Sequence, residues 1–151
     1  MISIRKTEPN DLATAQNLLG QLASAMGRDG TGLSNQAFAD GFSAFLDQRR
    51  GVLLLAIDET GILGMISVSY NLALRYGGEY AQIEELIVTA AARGKHAGSR
   101  LVGAAIEEAR RRGCKEIGLY AIESNVPFYE ALGFAYVGPE LRQSLTADDN
   151  G

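Results

Sequence analysis

The sequence predicts an α/β fold of the mixed α+β type, in which a mixed but mostly antiparallel sheet of about six to seven strands is flanked by about four helices. Two observations support this prediction. Apolar segments bounded by turn residues predict strands at 2–5, 52–57, 62–70, 80–88 and 116–122, with one or two more within 134–145. Apolar residues that recur every three or four positions predict helices between these strands.

The N-terminal part combines one strand with two amphipathic helices. Residues 2–5 alternate apolar and polar side chains, as a half-buried strand does. Pro9 lies in the first turn of the next helix, where its missing N–H costs little. One face of that helix carries Leu12, Ala15, Leu19, Leu22 and Met26. Ser34 is placed to cap a second helix, whose apolar stripe is Phe38, Phe42 and Phe45.

The order of the later elements predicts how the strands pair. Three strands follow one another directly, which favours an antiparallel meander, whereas the strand at 116–122 follows a long helix and needs a parallel crossover. That helix is predicted from 98 to 112 and ends at Gly113. A short helix is expected at 125–132. The sheet should therefore be mixed, with helices on both faces.

Composition and charge exclude several classes of function. The 151 residues, 46% of them hydrophobic, predict a single domain over 1–145 and a frayed polar tail at 146–151. The net charge of -4 disfavours nucleic-acid binding. With one cysteine, Cys114, and one histidine, His96, no metal site is expected. No apolar run approaches the ~20 residues that span a bilayer and no signal peptide is recognisable, so no membrane association and a cytoplasmic location are predicted.

The stretch from Leu86 to Leu101 is the most informative part of the sequence for function. A predicted strand runs into a glycine-containing turn that opens a long helix. Backbone N–H groups at such a turn, together with the helix dipole, bind pyrophosphate well. The glycine spacing fits neither a P-loop nor the dinucleotide-binding fingerprint.

Two motifs resemble those of the GNAT superfamily of acetyl-CoA-dependent N-acetyltransferases. Residues 93–98, Arg-Gly-Lys-His-Ala-Gly, resemble its pyrophosphate loop, although His96 stands where the family usually has glycine. Residues 128–134, Phe-Tyr-Glu-Ala-Leu-Gly-Phe, resemble a second family segment. Residues 125–129, Asn-Val-Pro-Phe-Tyr, are similar to the sub-pattern of glucosamine-phosphate N-acetyltransferases.

The resemblance implies the GNAT fold and acetyl-CoA as co-substrate, with no metal. It also implies that the amine attacks the thioester directly, without an acyl-enzyme, and that the strand ending at Val88 splays from its neighbour to bind the pantetheine arm. The cofactor-binding residues that it implies are Leu86, Ile87, Val88, Arg93, Gly94, Lys95, His96, Ala97, Gly98, Ser99, Asn125 and Phe128.

For catalysis, the resemblance implies that Tyr129 is the acid that protonates the leaving thiolate. A carboxylate on the strand at 80–88 is the expected base. Glu84 is favoured by its match to the amino-sugar-phosphate sub-pattern, and Glu85 is the alternative, because a bulge would change which of the two faces inward. His96 is interpreted as a loop residue and not as a base.

The expected acceptor is a small-molecule amine that the sequence does not identify. Three alternatives stay open: a GNAT-fold protein that binds CoA without catalysis, an acetyltransferase of protein or peptide N termini, and an unrelated nucleotide-binding domain that shares only the loop. The family also makes a homodimer possible.

Overall fold

A five-stranded mixed sheet forms the centre of the first of two units in the computed structural model, which describes residues 1–146. The first unit is Met1–Leu119, and the second begins at Tyr120. Residues 147–151 of the predicted tail lie outside the described residues. A single domain over 1–145 stays a prediction.

The element order agrees with the sequence expectation up to the last strand. The first unit contains β1 (Ser3–Lys6), α1 (Leu12–Ala25), α2 (Asn35–Leu46), β2 (Gly51–Asp58), β3 (Gly61–Ala73), β4 (Gly78–Val88), α3 (Ala97–Arg112) and β5 (Ile117–Leu119). The second unit contains the short helix α4 (Val126–Glu130). The expectation of about four helices is confirmed.

The sheet is mixed and mostly antiparallel, as predicted, but it has fewer strands than expected. Its order is β1-β2-β3-β4-β5, with antiparallel pairing throughout except between β4 and β5, which are parallel. The predicted strands within 134–145 do not form in the described chain. Beyond Phe134, the apolar side chains of this segment stay exposed, 94% for Val137 and 89% for Leu141, because no neighbouring strand pairs with it to bury them.

The core on one face of the sheet is built by the two N-terminal helices. Leu53 and Leu55 of β2 point to this face because side chains alternate along a strand. They pack in one buried cluster with Ala15, Leu18, Phe42, Met65 and Ile87. Ser34 caps α2 as predicted, and its side chain accepts a hydrogen bond from the backbone N–H of Ala37 at 3.1 Å.

Helix α3 covers the opposite face. Its buried side chains are Ala97, Leu101, Val102, Ala105 and Ala109. Gly64 of β3 permits the close approach, because a Cβ there would lie 2.4 Å from the Ile87 carbonyl oxygen and 3.2 Å from Leu101 Cδ1. Within residues 1–146, none of the helices is long and apolar enough to cross a membrane.

Candidate active site

A bulge in β4 brings both predicted glutamates to the same face of the sheet. Ser67 of β3 pairs with Glu85, the register then shifts by one residue, and Glu84 is left as the extra residue of β4. Ser69 Oγ donates a hydrogen bond to Glu84 Oε2 at 2.6 Å, and Ser67 Oγ donates one to Glu85 Oε1. Since the two serines are two residues apart on one strand, they share a face, and so do the carboxylates that they bind.

The two carboxylates differ in exposure. Glu85 is partly buried, and burial raises its pKa above the ordinary value. The hydrogen bond from Ser67 opposes this rise, and the neighbouring charge of Glu84 adds to it. Glu84 is exposed on the strand surface, so its carboxylate is the one that a dissolved amine reaches directly.

Beyond the bulge, β4 loses its neighbour on one edge. The parallel ladder with β5 covers only Ala81, Gln82 and Ile83. In the part of the chain that the structure describes, no strand pairs with that edge from Glu84 to Val88, while the opposite edge stays paired with β3. Backbone N–H and C=O groups on an open edge can hydrogen-bond an extended ligand as a further strand would. Leu86, Ile87 and Val88 provide such groups.

The open edge leads directly into the predicted pyrophosphate loop. Ala90–Ala92 form a short 3-10 helix, residues 93–96 form turns, and α3 begins at Ala97. Gly94 lies in the left-handed region with φ of 82°. Among the described residues, no protein acceptor bonds the backbone N–H groups of Ala97, Gly98 and Ser99, which is the normal state of a first helical turn. These groups and the helix dipole are available to an anion.

The two cations of the loop have different surroundings. Lys95 Nζ lies 3.3 Å from Asp58 Oδ2 and 3.5 Å from Thr60 Oγ1, so its side chain ties the loop to the β2–β3 turn. The pKa of Asp58 is lowered to about 2, chiefly by the hydrogen bond from the Thr60 hydroxyl and further by Lys95. Arg93 is exposed and has no acidic partner within residues 1–146. Arg93 is therefore the loop cation available to a phosphate.

His96 occupies a backbone conformation that favours glycine. Its φ is 64° and its ψ is 23°, in the left-handed region, and its side chain is exposed. A side chain in this region costs about 1–2 kcal/mol, which explains physically why glycine is usual at this position in the resembled motif.

Replacing His96 by glycine is expected to leave acetyl-transfer turnover within several-fold of the parent enzyme. The free energy of unfolding should rise by about 0.5–1 kcal/mol, because the relieved backbone strain exceeds the entropy that glycine adds to the unfolded chain. Steady-state kinetics and thermal unfolding measure both. Gln48→Gly is the matched control, because Gln48 has φ of 60° and lies outside the loop. A loss of turnover beyond roughly 100-fold would instead identify His96 as a general acid or base.

The second unit contains the remaining predicted site residues. Tyr129 lies in α4, and its ring makes edge contacts with Phe128 at 4.9 Å and Phe134 at 5.8 Å between centroids. Tyr129 is partly buried, and burial raises the pKa of its hydroxyl above the ordinary value of 10.0. Asn125 precedes α4, and its side chain makes no capping hydrogen bond there.

Sequence reasoning missed Ser67 and Ser69. Both bind a candidate base, yet neither belongs to a recognised motif. The sequence did carry a signal, because these two hydroxyl residues stand at alternate positions of the otherwise apolar strand predicted at 62–70. Such a pattern on a buried strand indicates polar partners on the facing strand. No cluster of three or more His, Cys, Asp or Glu side chains that could hold a metal occurs within the described residues.

Comparisons with known proteins show similarity over nearly the whole chain. A glucosamine 6-phosphate N-acetyltransferase from Trypanosoma brucei brucei is 30% identical over 95% of this chain and 96% of that protein. An aminoalkylphosphonate N-acetyltransferase from Salmonella typhimurium is 34% identical over 74% of this chain and 70% of that protein. The structure of a protein described as a transcriptional regulator from Bacillus halodurans C-125 superposes with a TM-score of 0.82 and 28% identity, covering 95% and 99% of the two chains.

The fold and site define a class of enzyme. A mixed sheet with a strand that opens at one edge and leads through a glycine-containing loop into a long helix is the arrangement expected of an N-acetyltransferase. The sequence model of the acetyltransferase (GNAT) family matches residues 22–134. The chain belongs to the GNAT acetyltransferase family.

Proposed function

We propose that this protein transfers an acetyl group from acetyl-CoA directly to the primary amine of a small molecule. The observation that carries the proposal is the open edge of β4 from the exposed Glu84 to Val88, followed by a loop that leads to the first turn of α3, whose N–H groups have no acceptor among the described residues. An extended thiol-bearing arm that ends in a pyrophosphate matches this edge in shape and in hydrogen-bonding groups.

The donor is held in two parts. Backbone groups of Leu86, Ile87 and Val88 bind the pantetheine arm. The pyrophosphate binds the loop and the first turn of α3, formed by Arg93, Gly94, Lys95, His96, Ala97, Gly98 and Ser99. Of these, Arg93 supplies a free guanidinium and Lys95 holds the loop in place through Asp58. Asn125 and Phe128 stay predicted cofactor-binding residues.

The chemistry needs one base and one acid. The neutral amine attacks the thioester carbonyl carbon, the carbon–sulfur bond breaks, and CoA leaves as a thiolate. Glu84 accepts the proton that the nitrogen loses, and Glu85 stays the alternative. A backbone N–H of the open edge stabilises the oxyanion. Tyr129 donates its hydroxyl proton to the sulfur and regains a proton from solvent.

The acceptor is proposed from the two similar enzymes. One is named for an amino sugar phosphate and the other for an aminoalkylphosphonate, so both act on a small amine that carries an anionic phosphorus group. We therefore extend the proposal to a phosphorylated or phosphonylated primary amine. The net charge of -4 disfavours the nucleic-acid partner of a transcriptional regulator. A homodimer and a cytoplasmic location stay predictions.

A panel of matched acceptors tests this function. Acetyl-CoA consumption is measured with glucosamine 6-phosphate and glucosamine, with an aminoalkylphosphonate and the alkylamine of equal length, and with polyamines, amino acids and peptides with a free N terminus. We expect kcat/KM to be at least about tenfold higher for the phosphorus-bearing member of a pair, the size of one hydrogen bond to a charged group. Reactions without amine measure hydrolysis. Turnover confined to peptide N termini would contradict the proposed acceptor, and CoA binding without any turnover would contradict the proposed catalysis.

A further inference from the structure

Three side chains form a hydrogen-bonded chain that ends on the proposed base. Asn71 Nδ2 donates to Ser69 Oγ at 3.0 Å and also to the Ser69 carbonyl oxygen at 3.3 Å. Ser69 Oγ in turn donates to Glu84 Oε2 at 2.6 Å. Asn71 and Ser69 both lie on β3, and Glu84 is the extra residue of the β4 bulge.

The chemistry of these groups sets the direction of the chain. An amide nitrogen can only donate, and a serine hydroxyl has a single proton. Because Asn71 occupies a lone pair of the Ser69 oxygen, the hydroxyl proton is left for the carboxylate of Glu84. Hydrogen bonds to a charged acceptor are the stronger kind. The chain therefore restricts an exposed side chain that would otherwise move among its rotamers.

The neighbouring pair is arranged differently. Ser67 Oγ donates to the carboxylate of Glu85 and accepts the backbone N–H of the same residue at 3.0 Å. Ser67 is the buried member of this pair, with only 1% of its surface exposed. It fixes the bulge, whereas the chain through Asn71 and Ser69 fixes the one carboxylate that faces solvent.

We propose that Ser69, oriented by Asn71, is a positioning residue that holds the Glu84 carboxylate where it accepts the amine proton. This inference rests on the proposed function, and it selects Glu84 over Glu85 as the base. Ser69 touches no reacting atom and acts through Glu84 alone.

The test is a double-mutant cycle measured with glucosamine 6-phosphate, followed by the best amine of the panel. We expect Ser69→Ala to lower kcat about tenfold, the size of a lost hydrogen bond to a charged group, with KM for acetyl-CoA unchanged. Ser69→Thr keeps the hydroxyl and should restore the rate. Glu84→Gln should lower kcat by about 100-fold, as expected for loss of a general base. Adding Ser69→Ala to Glu84→Gln should change the rate by less than about twofold, because no carboxylate is left to position.

One control variant and the separate effects of the two single variants distinguish the possible failures. Ser43→Ala makes the same chemical change on an exposed position of α2 and should leave kcat unaltered. Full activity of Glu84→Gln would contradict the role of Glu84 in the proposed function. A slow Glu84→Gln variant beside a fully active Ser69→Ala variant would overturn only the positioning role. A crystal structure of Ser69→Ala with the Glu84 carboxylate unmoved would do the same without any turnover assay.

Discussion

Replacing Tyr129 by phenylalanine is expected to lower kcat by about 100-fold or more while leaving the Kd for acetyl-CoA nearly unchanged. The conjugate acid of the leaving thiolate has a pKa of ~8.5, with cysteine as its model. Burial raises the pKa of Tyr129 above 10.0, so its hydroxyl is protonated at neutral pH and can donate. Phenylalanine keeps the ring and its edge contacts with Phe128 and Phe134 but has no proton to give.

The pH dependence adds a second readout for Tyr129. Because its pKa lies above the ordinary tyrosine value, ionisation of this hydroxyl should reduce kcat only above pH ~10. Steady-state kinetics measure kcat, and isothermal titration calorimetry measures acetyl-CoA affinity. Tyr136→Phe, an exposed tyrosine in the same unit, is the matched control and should behave as the parent enzyme. Normal turnover of Tyr129→Phe would make Tyr129 a packing residue, with the thiolate protonated by water.

Replacing Gly98 by valine is expected to abolish binding of CoA and acetyl-CoA. Gly98 is the second residue of α3, and its backbone N–H is one of the free donors of the first turn. A branched side chain there blocks the close approach of the pyrophosphate to these donors. The fold should survive, because valine has a better helix propensity than glycine by a few tenths of a kcal/mol.

A second glycine of the same helix provides the control. Gly103 is exposed, and a Cβ added to it meets nothing within 4 Å. Gly103→Val therefore makes the same change at the same backbone geometry away from the loop. Calorimetry should show the parent affinity for Gly103→Val and no binding for Gly98→Val, with similar thermal unfolding of both. Unchanged CoA affinity in a folded Gly98→Val protein would contradict the assignment of this loop as the pyrophosphate-binding site.

Local sequence signals were sufficient for most of the secondary structure. Periodicity and turn chemistry depend only on neighbouring residues. They therefore predict the apolar strand at 52–57, the helix cap at Ser34 and the helix end at Gly113. The segment 134–145 shows the limit of this reasoning. Its apolar residues are compatible with a strand, but a strand needs a partner edge, and none pairs with this segment in the described chain.

The sequence by itself determined the order of the elements and the loop between β4 and α3, because these depend on neighbouring residues. Only the tertiary structure decided which groups the site presents. The face of the sheet to which Glu84 and Glu85 point depends on the register shift beside Ser67. The open edge of β4 depends on how far β5 extends beside it. Both are properties of pairing between segments distant in the chain. The contacts that define this pairing join residues well apart in the sequence, 18 positions for Ser67 and Glu85, so no local pattern contains them.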